Sequence, residues 1–164
     1  MINLPPRGAP LNLDTVNWHY IGQYKENIEI IANRRHAQKK GFKSSLYLNS
    51  HSHLLGYQGE AIYAIETGQK TNKNLLVNGD IGYDFADGAD IKTCKYWRDP
   101  WLKHPLNQEI KAKKLVLVAF DQELYRGCVV GWATPEEILN APIYTWTEAA
   151  GPQRSLSHNQ LHKS

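Results

Sequence analysis

At 164 residues, with 41% hydrophobic and 21% charged side chains, the chain has the composition of one folded domain and not of a disordered segment. No apolar run approaches the roughly 18 residues of a membrane span, and no signal peptide opens the sequence. Cys94 and Cys128 lie far apart with no metal-type pairing, which points to a reducing, cytoplasmic setting, and a net charge of +3 admits a nucleic-acid partner without requiring one.

The first dozen residues, with Pro5, Pro6, Gly8 and Pro10, read as an extended arm. Asp14 or Thr15 can cap a helix running to about residue 40, where Gly41 stops it; Ile21, Tyr24, Ile28 and Ile31 fall on one face of it. Residues 42–55 carry no clear period. A second helix is expected from 57 to about 67, ending at Gly68. Strands follow at 75–77, 81–86 and 89–97, and "KLVLVAF" and "YRGCVVGW" read as a buried hairpin at 114–120 and 125–132. "TPEEILN" has Thr134 as N-cap, Pro135 at the first helical position and Glu137 at the capping-box position. The order predicts an α/β (α+β) domain with a central mixed sheet flanked by helices. It divides into an arm and helix (1–45), a core (46–148) and a polar, loosely held tail (149–164).

Charge is concentrated. Arg34, Arg35, Lys39 and Lys40 cluster near the end of the first helix, and a second basic stretch spans 95–114. Between them "GDIGYDFADGADIKT" (79–93) crowds four aspartates into a hairpin. A three-residue turn with Gly88 left-handed pairs Phe85 with Ala89 and Asp84 with Asp90, so both carboxylates share a face with Lys92. A two-residue turn would throw Asp90 to the other face. In the first register the like charges call for a cation. A hard ion such as Mg²⁺, with Mn²⁺ as substitute, would take Asp84, Asp90 and the carbonyl of Ile91, with Lys92 beside a bound water. Asp80 and Asp87 read as turn residues.

In order, "GYQGEAIYAIETG", "GDIGYDF" and "ADIKT" resemble the PD-(D/E)XK nuclease superfamily, with similarity to small phage and bacterial members over roughly residues 56–140. The resemblance implies a restriction-endonuclease-like core and a metal-dependent endonuclease acting on DNA, in the host cytoplasm if phage-encoded. By position it implies Glu60 on the helix, Asp84 as main metal ligand, Asp90 as second and Lys92 as catalytic lysine. Arg34, Arg35, Lys39 and Lys40 are then phosphate contacts, and a homodimer or higher homo-oligomer would supply two sites to a duplex. The spacing from Asp84 to Asp90 is short for the superfamily, and there is little room for a long helix between residues 97 and 114. A non-catalytic nucleic-acid-binding module with the same fold is the alternative. The pairs His51/His53 and His158/His162 have chelating spacings but no third ligand. Trp97, Trp101, Trp132 and Trp146 could stack bases or sugar rings.

Overall fold

In the computed structural model the chain is described over residues 1–39, 50–70 and 85–163, with backbone only at 35–39 and 50–52. The expected strand at 75–77 and residues 81–84 of the one expected at 81–86 therefore lie outside the described residues, as do Asp80, Asp84 and Lys40, while Phe85 and Ala86 belong to a turn and not to a strand. Among the described residues no helix is long and apolar enough to cross a membrane.

The elements run β1 (His19–Tyr20), α1 (Lys25–Lys39), α2 (Ser50–Thr67), β2 (Ala89–Cys94), β3 (Trp101–Pro105), β4 (Lys114–Asp121), β5 (Arg126–Ala133), α3 (Pro135–Leu139), β6 (Ile143–Thr145) and β7 (Pro152–Ser157). They form a mixed α+β fold with two sheets, ordered β1-β5-β4-β2 and β3-β7-β6. Period-two alternation makes β4 the divider between two cores. Val116, Val118 and Phe120 join Ile28, Tyr57, Ile62, Tyr63 and Ile91 under the helices. Leu115, Leu117 and Ala119 instead meet Leu102 of β3, Leu156 of β7 and Ile138 of α3. The first sheet is thus packed between a helical layer and the second sheet.

The 114–132 hairpin forms where expected, with a bulge between Leu117 and Val118. The Thr134 hydroxyl accepts the Glu137 N–H at 3.2 Å, and Glu137 Oε1 accepts the Thr134 N–H at 3.1 Å, completing the capping box.

Three expectations change. The first helix starts at Lys25 rather than at 14–15, because residues 12–15 close a turn (Thr15 N–H to Asn12 O, 3.2 Å) and His19–Tyr20 then pairs with β5. The second starts at Ser50, seven residues early. The tail is not loose. β7 is the middle strand of the second sheet, Ser155 is fully buried, and Trp132 and His162 exchange backbone hydrogen bonds of 2.9 Å each. β3, unforeseen in the sequence, occupies the space between 97 and 114 and pairs with β7 from Trp101 to Pro105.

Two glycines fix close approaches. Gly59 of α2 sits against β2 so tightly that a methyl there would land on the Thr93 hydroxyl. Gly88 closes the Phe85–Gly88 turn with its N–H on the Phe85 carbonyl at 2.9 Å and φ +85°, and a Cβ would come within 2.7 Å of the Lys113 side chain. Gly88→Ala should therefore cost at least about 1–2 kcal/mol, the penalty for an L-residue in left-handed backbone before any crowding is counted. Chemical denaturation would measure it, and an unchanged midpoint would contradict the turn.

Candidate functional site

Alternation along β2 decides what faces what. Ala89 and Ile91 are buried in the helix-side core, and Thr93 lies under Gly59 of α2. Asp90 and Lys92 leave the opposite face, where their register partners on β4 are Leu115 and Leu117 of the second core. Lys92 Nζ donates to Asp90 Oδ2 at 3.0 Å, both side chains being partly exposed. A cavity of about 350 Å³ opens beside this pair, lined also by His104, Glu109 and Lys111. His104 is buried on β3 and engages the Gln108 carbonyl through Nε2 at 2.9 Å, while its Nδ1 has no protein partner.

A second, larger groove of about 780 Å³ runs from Lys92 along the end of β2 to β3. Lys92, Lys95 and Lys103 line it together with Tyr96 and Trp101, and no carboxylate stands among its described lining residues. Lys103 Nζ lies 3.8 Å above the ring centroid of Trp146, and burial holds its ammonium below the usual lysine range, partly offset by Cys94. Trp101, Tyr144 and Trp146 form an edge-to-face cluster with centroids 5.2–6.4 Å apart.

Asp90 and Lys92 are thus brought together as the spacing requires. Glu60 is buried in α2, in the layer that covers the other face of β2. Arg34 is exposed on α1 in that same layer; the side chains of Arg35 and Lys39 are not described, and Lys40 and Asp84 lie outside the described residues. In the turn before β2, Gly88 has the left-handed backbone expected of it, while the pairing of Asp84 lies outside the described residues. Ile91 turns its side chain into the core.

Asp87 is a turn residue with more to do than close the turn. Oδ1 accepts the Ala89 N–H (3.0 Å), Oδ2 accepts from the Tyr63 hydroxyl (2.7 Å) and Gln69 Nε2 (2.8 Å), and Lys114 Nζ stands 3.7 Å away. Burial alone would raise its pKa; the hydrogen bonds from Gln69, Tyr63 and Ala89 and the charge of Lys114 outweigh that and hold the carboxyl below its ordinary value. Sequence reasoning misses this cluster because its members lie on α2, just past its end, in the turn and on β4.

His158, His162 and the tryptophans go separate ways. His158 contacts the Ala9 carbonyl at 2.7 Å, and His162 meets both Glu137 oxygens at 2.8 Å, so their i, i+4 spacing forms no chelate. His53 is buried in α2. Trp97 packs against Trp18, and Trp132 against His162, leaving Trp101 and Trp146 together.

A metal is testable against the donors present. Among the described residues no group of three His, Cys, Asp or Glu side chains converges. Asp90 offers one carboxylate suited to a hard cation, already engaged by Lys92, and does not complete a ligand set by itself. Compared with protein-family models, with curated proteins and with solved structures, the chain gives no match.

Proposed function

We propose that this chain is a divalent-metal-dependent nuclease, acting on DNA, whose reaction centre is built on Asp90 and Lys92. The observation that carries the reading is the 3.0 Å Asp90–Lys92 pair on β2, set where a small polar cavity meets a lysine-lined groove. The parallel pairing of β2 with β4 supports a restriction-endonuclease-like sheet, whereas the connection between them runs through β3 of the second sheet where that core has a helix. Asp84 and Glu60 enter through the resemblance alone.

A divalent cation taken up beside Asp90 would supply positive charge to a phosphate. Lys92 has three N–H donors and gives one to Asp90, so the others are free to orient a water or a phosphate oxygen. Lys95 and Lys103 continue the positive surface away from the pair and would hold the strand.

The assay is incubation with plasmid, duplex, branched and single-stranded substrates in Mg²⁺, Mn²⁺ or EDTA. Cleavage in either metal and none in EDTA is expected. One observation favours the second reading, a non-catalytic nucleic-acid-binding module: Asp90 is neutralised by Lys92 within the protein itself. Binding without cleavage of any substrate would establish that reading and end the first.

A further inference from the structure

The groove brings lysines and aromatic rings together beside apolar side chains that include Leu54, Leu55 and Leu117. Lys95 is exposed and its Nζ lies 5.3 Å from the centroid of Tyr96, a residue that is 69% exposed. Five residues on, Trp101 opens β3, and Lys103 follows on the same face. That face of the second sheet also carries Tyr144 and Trp146, which complete the ring cluster. Tyr96 and Trp101 add ring faces to the three lysines that line the groove, and that combination suits a ligand with both negative charge and π-faces. The absence of carboxylates among the described lining residues selects a polyanion over a neutral sugar.

Duplex DNA does not suit such a surface. Its base faces are already stacked on one another, leaving base edges and phosphates for the protein, and neither needs aromatic stacking platforms. Unpaired bases offer both faces and a flexible phosphate chain. We propose that the groove between β2 and β3 binds a single-stranded nucleic-acid segment. Tyr96 and Trp101 stack its bases, and Lys95 and Lys103 meet its phosphates. The strand then passes Lys92, which lines both cavities, and reaches Asp90. This names the substrate class of the proposed nuclease and rests on that reading for its consequence, though binding can be measured without it.

The test is fluorescence anisotropy with a labelled oligo-dT, the matching oligo-rU and a duplex of equal length, all in EDTA so that no cleavage enters. Single strands should bind at least about tenfold more tightly than duplex, and the tighter of dT and rU identifies the sugar. Tyr96→Ala should weaken single-strand binding about ten- to a hundredfold, as the loss of one stacked base implies, and leave duplex binding within about twofold. Tyr96→Phe, which keeps the ring, should restore it. Lys95→Ala should flatten the logarithmic salt slope by about 0.7. Because Tyr96 is exposed, its truncation leaves folding intact, which thermal melting checks; Trp101 is more closely packed and is the second choice. Equal affinity for duplex, a salt-independent affinity, or a silent Tyr96→Ala would overturn the proposal. Single-strand binding without any cleavage in Mg²⁺ would keep the groove and remove the nuclease; metal-dependent cutting with a silent Tyr96→Ala would do the reverse.

Discussion

Lys92→Met is expected to slow cleavage by at least about a hundredfold while the melting temperature stays within a degree or two. The two effects part because the Asp90–Lys92 pair is worth little to the fold. Both side chains are partly exposed, and an ion pair of this kind contributes roughly 0–1 kcal/mol. Methionine keeps most of the aliphatic stem of Lys92, so packing is preserved. What is lost is a positive donor at the point where negative charge develops on phosphate, a loss that typically costs 10²–10³ in rate. Lys92→Arg keeps the charge but replaces a compact ammonium with a planar fork, so it should recover only part of the rate. If Lys92→Met cut as fast as wild type, the catalytic centre would have to be elsewhere. If it lost activity only because it unfolded, the melting curve would show it.

The second large effect is on stability. Asp87→Ala should destabilise the protein by about 2–3 kcal/mol, because it strips a charged acceptor from Tyr63, Gln69 and the Ala89 N–H together. Lys114 would lose its counter-charge as well. Tyr63→Phe removes one hydrogen bond and should cost about 1 kcal/mol. Combined with Asp87→Ala it should add much less than that, since the shared contact is already gone. The pH dependence has a definite sign. Asp87 is held below its ordinary pKa in the folded protein, so its contribution is complete above pH 3.8 and is lost as pH falls through the lower folded value. Acid titration of unfolding should therefore show wild type and Asp87→Ala converging at low pH. Curves that stayed parallel down to acid denaturation would show that the carboxylate charge is not what holds the turn. Asp87→Asn keeps the shape and should fall between the two.

How much of this is legible in the sequence follows from the range of the interactions. The capping box at Thr134–Glu137, the 114–132 hairpin and the left-handed Gly88 are specified by residues within a few positions of one another, and all are readable. The proximity of Asp90 to Lys92 also follows from strand periodicity alone, once β2 is placed. The start of α1 is misleading because a good capping pattern at 14–15 competes with an edge pairing to β5, more than a hundred residues away. The tail misleads for a similar reason. Residues 152–157 contain a single large apolar side chain, Leu156, so no alternation announces a strand; pairing with β3 and β6 satisfies their backbone instead. The Asp87 cluster is invisible because it joins α2, a turn and β4. The groove is half legible: its lysines and aromatics stand out separately along the chain, but only the approach of β3 to β2 makes them one surface.

The central claim, that Asp90 and Lys92 form the centre of a metal-dependent nuclease, is tested most directly by one measurement. It is the single-turnover cleavage rate of an end-labelled oligonucleotide against Mg²⁺ concentration, for wild type and Asp90→Asn. The wild-type rate should rise with Mg²⁺ to a plateau and vanish in EDTA. Asp90→Asn should be at least about a hundredfold slower at every concentration while melting near the wild-type temperature. No product from wild type at any Mg²⁺ concentration, or identical curves for the two proteins, would contradict the account.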